Sequence, residues 1–258
     1  MLWGGIAMLV LAATAHAADG SWGRVKSAGK LVLGLDDSFP LMGFRDGDGK
    51  LAGFDIDLAG EVGRRLGVTV QWQPTRWDGI VSALNGGRFD AIWNGMTITD
   101  ERARVVAFTR PYIMGGQIAV VRSGDKRLRR LQELKGMRAG AVAGAPGMTA
   151  LERFSPQPKV IVAYESIPAA LTGLSAGSVD VVVADCMPLR DALAKQPGRF
   201  RIVPGYVHRE PFGVAFRRDE KELRDRVQRT LDAIRKDGTM AKLSRKWFGE
   251  DLTNPKKW

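Results

Sequence analysis

Leu84-Asn-Gly-Gly87-Arg-Phe-Asp90 and Leu174-Ser-Ala-Gly177-Ser-Val-Asp180 carry the same pattern, L-x-x-G-x-x-D, at an offset of 90 residues. In each copy an apolar helical pattern stops at glycine, the residue that most readily closes a helix. An apolar run opening at aspartate follows and reads as a buried strand. Two equivalent helix–strand units in one chain point to an α/β fold with two similar lobes. The surrounding sequence agrees, because short β-rich runs alternate with helical patterns, as parallel sheets with crossover helices require. Strands are predicted at 31–35, 68–72, 89–93, 117–121, 138–142, 160–163, 179–183 and 212–216. Helices are predicted at 54–66, 77–84, 147–154, 220–236 and 239–247, with another running from a Ser166 cap to Gly177. Thr99 reads as an N-cap, with Asp100 and Glu101 in the first turn where the helix dipole favours acids. Asn94-Gly95 and Ala184-Asp185 then fall at equivalent carboxyl ends of strands. Ligands of open α/β sheets bind beyond such ends, so two facing lobes make a cleft there.

Several function classes are excluded on simpler grounds. Residues 1–17, MLWGGIAMLVLAATAHA, end in Ala15-His16-Ala17 and read as a secretory signal peptide cleaved after Ala17. Export to the periplasm is expected, as a soluble monomer without lipid, since no cysteine follows the apolar stretch. No later run approaches the ~20 apolar residues of a membrane-spanning helix. The single cysteine, Cys186, rules out a disulfide framework and reads as a small buried residue. No metal or cofactor is expected, for want of clustered ligands. The formal charge is +11, from 39 Lys plus Arg against 28 Asp plus Glu. Those charges are dispersed apart from short clusters such as Arg129-Arg130 and Arg217-Arg218, so they read as a solvated surface, with no nucleic-acid partner. His208 is the only histidine beyond the signal, and nothing beside it marks a nucleophile site. No enzyme is expected on that count.

Ordered motifs carry a family resemblance. Gly53-Phe-Asp-Ile-Asp-Leu58, Asn94-Gly-Met-Thr-Ile-Thr-Asp-Glu-Arg102, Phe108-Thr109 with Pro111-Tyr112, Leu134-Lys-Gly136, and Gly238-Thr239 with Lys246-Trp-Phe-Gly249 follow one another along the chain. They resemble the two-lobed periplasmic solute-binding proteins of amino-acid ABC transporters, those for polar amino acids in particular. The resemblance implies two similar open sheets joined by two crossover strands, near residues 115–118 and 207–211. Lobe 1 would comprise residues 18–117 and 211–258, and lobe 2 residues 118–210. It also implies a function: capture of a free polar or cationic L-amino acid in the cleft, hinge closure, and delivery to the membrane permease of an ABC transporter. The same fold includes prephenate and arogenate dehydratases, in which Asp185 would be the proton donor, and ligand-sensing modules.

A free amino acid presents a carboxylate, an ammonium and a side chain, so its pocket needs a cation, an anion and a shaped wall. The resemblance puts Arg102 on the carboxylate, where a guanidinium fork and a helix amino terminus act together. It places Thr97 and the Gly95 backbone beside that group, and Asp185 on the ammonium. Phe39 and Trp77 would flank the ligand side chain, and Asp36 would meet a polar or cationic one. Each residue also has a plainer reading. Arg102 suits a surface helix, Asp36 and Asp185 suit turn or helix caps, and Phe39 and Trp77 suit core packing. The second lobe departs from the family pattern at Gly144-Ala-Pro-Gly-Met148. Ala145 offers no hydroxyl and Pro146 no N–H, which leaves the carboxylate the N–H of Gly147 or Met148. Asp36 between two aromatic plates is expected to favour arginine, lysine, histidine or glutamine over glutamate, aspartate or leucine.

Overall fold

In the computed structural model, which describes residues 19–258, eight strands form one continuous curled path; the expected signal peptide lies outside the described residues. They are β1 (Lys30–Leu35), β2 (Thr69–Pro74), β3 (Ala91–Thr97), β4 (Ile113–Arg122), β5 (Arg138–Val142), β6 (Val160–Tyr164), β7 (Val181–Asp185) and β8 (His208–Phe216). Their spatial order is β6-β5-β7-β4-β8-β3-β1-β2. Within β2-β1-β3 and within β6-β5-β7 all pairs are parallel. The two units therefore share one order, with the first strand in the middle. Between them β4 and β8 run antiparallel, from His208 opposite Gln117 to Phe212 opposite Ile113. This is the expected two-lobed α/β architecture with two crossing strands. Three short strands, Ser38–Phe39, Gly43–Arg45 and Leu51–Ala52, form a separate small sheet that periodicity did not show.

The repeated aspartates explain why the two units match. The Asp90 N–H donates to the Val32 carbonyl at 2.8 Å, and its Oδ2 accepts from the Val32 N–H at 2.9 Å. Asp180 repeats this on Arg138, with 2.8 Å for the main-chain bond and 3.0 Å for the side-chain one. Each aspartate thus ties the entry of the third strand to the middle strand of its own unit, through main chain and side chain together. Arginines gather on both carboxylates: Arg24 at Asp90, and Arg127 with Arg138 at Asp180.

The strands nearest the crossing pair are apolar on both faces, as expected where helices cover a parallel sheet on each side. Val181, Val182 and Val183 in β7 are all fully buried. The helix Lys221–Lys236 buries Leu223, Val227, Leu231 and Ile234 at helical spacing, against helices Phe54–Leu66 and Thr239–Phe248. Cys186 is buried, as its sequence context suggested. Several predicted elements differ: β7 starts at Val181 where 179–183 was expected, β4 already at Ile113 ahead of 117–121, and β8 already at His208 ahead of 212–216. The helix placed at 77–84 begins only at Ile80, because Gly79 has φ 92°, outside the helical region. The strand placed at 89–93 starts two residues later and runs on to Thr97, since Asp90 is occupied in the tie to Val32.

Asp180→Ala leaves the Arg138 N–H without its acceptor and removes the anchor of two arginines. A loss of about 2–4 kcal/mol is expected in urea unfolding, most of it from the orphaned main-chain donor. An unchanged midpoint would show that the tie contributes nothing.

Candidate functional site

A cavity of about 410 Å3 opens at the carboxyl ends of β1, β3 and β7, beside β8. Thr97 is the last residue of β3 and Asp185 the last of β7, while Asp36 follows β1 directly. The chain order of a parallel unit brings these ends together. Seven of the eight candidates line the cavity: Asp36, Phe39, Trp77, Gly95, Thr97, Arg102 and Asp185. Gly147 does not. It lines an adjoining hollow of about 240 Å3 that shares Asp185 and Pro188 with the first. A Cβ on Gly147 would lie 2.7 Å from the Val183 carbonyl oxygen, so a side chain at this position would press into β7. The Met148 N–H, the other donor expected there, bonds to the Ala145 carbonyl at 3.0 Å.

Arg102 stands in the short helix Asp100–Ala103, whose cap is Thr99; the Thr99 hydroxyl accepts from the Arg102 N–H at 3.2 Å. Its guanidinium donates to the Thr97 carbonyl at 2.9 Å and lies 5.5 Å from the centre of the Trp77 ring. It forms no ion pair among the described residues. Burial pulls its pKa down, and the charges of Glu210 and Glu101 offset this only in part. A half-buried guanidinium without a carboxylate is costly, and it leaves most of a planar fork free for an anion.

Beside it, Gly95 has φ 55°, and a Cβ there would meet the Phe39 ring at 2.7 Å. Its N–H donates to Asp55 Oδ2 at 2.8 Å and reaches the Tyr112 hydroxyl oxygen at 3.2 Å, while that hydroxyl donates to Asp55 Oδ1 at 2.8 Å. Asp55 is fully buried, and burial pushes its carboxyl up to about 7 against these donors. The left-handed turn and the acid beneath it let the rings of Phe39 and Phe212, 6.3 Å apart edge to face, close over the strand end.

The acids divide by how far the protein has already satisfied them. Asp36 Oδ1 accepts from the Ser38 N–H at 3.1 Å and its hydroxyl at 2.5 Å; Oδ2 accepts from the Trp77 N–H at 3.0 Å. Burial opposes ionisation, but these donors and the nearby Arg76 charge hold the carboxyl below its ordinary range. Asp36 is therefore a turn cap and a cavity wall at once. Asp185 Oδ1 caps the helix Cys186–Ala194 through the Met187 N–H at 2.9 Å. Burial and the Glu210 charge, resisted by that N–H, push it up to about 6.

Glu210 is a lining residue that sequence reasoning missed. It accepts from the Gln117 side-chain Nε2 at 2.9 Å and from the Thr97 hydroxyl at 3.3 Å. Asn94 and Phe212 were missed as lining residues too; the Asn94 side-chain oxygen accepts from the Asp36 N–H at 2.9 Å and fixes the end of β1. The signal for Glu210 was the strand alternation that puts it on the same face as Phe212, once β8 is extended back to His208.

The model of the bacterial extracellular solute-binding proteins, family 3, matches residues 31–250. The chain belongs to this family. It is 32% identical over 236 residues to the L-cystine-binding protein TcyJ of Escherichia coli, covering 91% of this chain and 88% of the relative. It is 30% identical to the L-arginine-binding protein of Pseudomonas aeruginosa, covering 97% and 96%. Among solved structures it resembles a polar amino acid ABC uptake transporter substrate-binding protein of Streptococcus thermophilus. That likeness has a TM-score of 0.79 and 32% identity, over 93% of this chain and 94% of the other. The family and these relatives are binding proteins, and in this family 3 member the cavity lies where the two parallel units face each other.

Gly95→Ala tests the cavity floor, since it adds a Cβ both in a left-handed turn and against the Phe39 ring. A loss of roughly 1–3 kcal/mol in thermal or urea unfolding is expected. Wild-type stability would mean that Phe39 is free to move away.

Proposed function

We propose that this protein captures a polar or cationic L-amino acid in the cleft and delivers it to the membrane permease of an ABC transporter. The observation that carries the reading is Arg102, a half-buried cation with no carboxylate partner among the described residues, at the cavity wall. The ligand carboxylate would fill that fork beside Thr97, whose hydroxyl would turn to it from the 3.3 Å contact with Glu210, while the Gly95 N–H is already given to Asp55 and Gly95 only shapes the floor. Asp185 takes the ammonium from the opposite unit, and Phe39 and Trp77 flank the side chain. The names of the L-cystine- and L-arginine-binding relatives support an amino-acid ligand. We take residues 18–117 and 211–258 as lobe 1 and 118–210 as lobe 2, closing about the crossing strands, because each lobe carries only part of the ligand's partners. Removal of residues 1–17 and a periplasmic monomer complete the reading.

We read the protein as a carrier and not an enzyme. Arg102 is the one cation lining the cavity among the described residues, against the carboxylates of Asp36, Asp185 and Glu210, so prephenate, which carries carboxylates and no ammonium, meets mostly like charge there. A thermal-shift screen of the common amino acids with prephenate tests this, because a ligand that binds only the folded state raises the melting temperature. A shift with a polar or cationic amino acid is expected; a shift with prephenate alone, or with none, defeats the reading.

Two further outcomes follow from the named roles. Arg102→Ala should weaken amino-acid binding by roughly 2–5 kcal/mol in calorimetry while the unliganded melting temperature holds; a near-unchanged dissociation constant removes Arg102 from the site. Binding should also weaken as pH falls through about 6, because Asp185 must be ionised to receive an ammonium. Glu210, Arg102 and Asp36 face the same cavity. Asp185→Asn should therefore flatten that part of the pH profile, and a wild-type profile already flat there would take Asp185 off the ammonium.

A further inference from the structure

We propose that Glu210 and Gln117 form a subsite for a second cationic nitrogen, so that the cleft prefers amino acids carrying a guanidinium or ammonium besides the α-ammonium. This rests on the amino-acid reading above and deepens it.

The register of the sheet brings the acceptors together. Gln117 in β4 is the direct partner of Asp185 in β7 and of His208 in β8. Glu210 is two residues beyond His208 on the same face, the diagonal position that long side chains reach across a sheet. Gln117 is fully buried, and its Nε2 donates to Glu210 Oε1 at 2.9 Å. That contact orients the amide, since a carboxylate only accepts. The amide oxygen is then turned away, buried, and without a donor among the described residues. An unpaired buried acceptor is costly, which makes a missing donor the expected occupant. Glu210 itself has neutral donors and no ion pair among the described residues, its second oxygen meeting the Thr97 hydroxyl only at 3.3 Å.

Charge matching gives the direction of selection. The cavity is lined by Asp36, Asp185 and Glu210 against Arg102. The two charges of a zwitterion match Arg102 and Asp185. Asp36 already has three donors and the neighbouring Arg76. Glu210, whose charge Arg102 feels but which has no ion pair among the described residues, is left without a direct cation, and a second cationic nitrogen would complete it. The Gln117 oxygen belongs to the adjoining hollow, which shares Asp185 and Pro188 with this cavity. A lysine or arginine side chain supplies that nitrogen, and so does the second ammonium of a two-headed amino acid such as L-cystine.

Calorimetry on the full mature chain with L-arginine, L-lysine, L-cystine, L-glutamine and L-leucine tests the subsite and separates these sources. The wild type should bind at least one of the first three better than glutamine or leucine. Glu210→Gln should reduce the ratio of that ligand's affinity to glutamine's by roughly tenfold or more. Gln117→Met removes the unpaired amide oxygen and, with it, the N–H that Glu210 accepts, without touching a charge. It should change the same ratio by a smaller factor than Glu210→Gln, which keeps the preference measurable if Glu210→Gln does not fold. Equal weakening of every ligand would assign Glu210 to the α-ammonium and overturn the proposal. So would unchanged ratios, or a wild type that prefers glutamine or leucine. Absence of any amino-acid binding to the wild type overturns this proposal and the function it rests on, whereas binding indifferent to Glu210 and Gln117 overturns the subsite alone.

Discussion

The antiparallel pairing of β4 with β8 is the contact on which the cleft depends. The main buried core runs through both parallel units and the crossing strands, and this ladder sets the carboxyl ends of β3 and β7 on either side of one cavity. The ladder tolerates little change at its centre. The Phe212 ring occupies the space where a Cβ on Gly115 would sit, at 2.2 Å, so the strand opposite Glu210 must carry no side chain there. That single absence lets an aromatic ring lie across the crossing strands and close the cavity from below. It also leaves the rest of that same face of the ladder to Gln117 and Glu210.

What the sequence made legible is what it encodes locally. Gly95, Thr97 and Arg102 lie within eight residues, and their placement follows from a strand end, a Thr99 cap and one short helix. Asp36 and Asp185 were readable as strand ends for the same reason. Their plainer readings as caps were equally sound, because one carboxylate has enough lone pairs to cap a turn and still face a cavity. The duplicated L-x-x-G-x-x-D pattern announced two units, and the Asp90 and Asp180 ties give it a physical meaning that periodicity alone lacks.

What stayed hidden depends on register between distant strands. Glu210 and Gln117 are 93 residues apart, and no local pattern says that their side chains meet. Gly147 is the converse case. The family resemblance put its N–H near a ligand carboxylate, while no sequence pattern shows that its Cα packs against the Val183 carbonyl of the neighbouring strand. Burial supplied the remaining information. Arg102 is ordinary as a sequence letter, and becomes informative once it is half covered and unaccompanied.

The cavity's three carboxylates and one guanidinium belong to a chain whose formal charge is +11. A small cation approaching from a distance therefore meets a repelling field, and only within about 8–10 Å, the screening length near physiological salt, do the lining groups dominate. Added salt shortens that range and relieves the repulsion during diffusion, the reverse of ordinary electrostatic steering. The part-buried contacts inside the cleft are screened far less. Ionic strength thus raises the rate of encounter for a cationic ligand while slightly loosening its grip once inside.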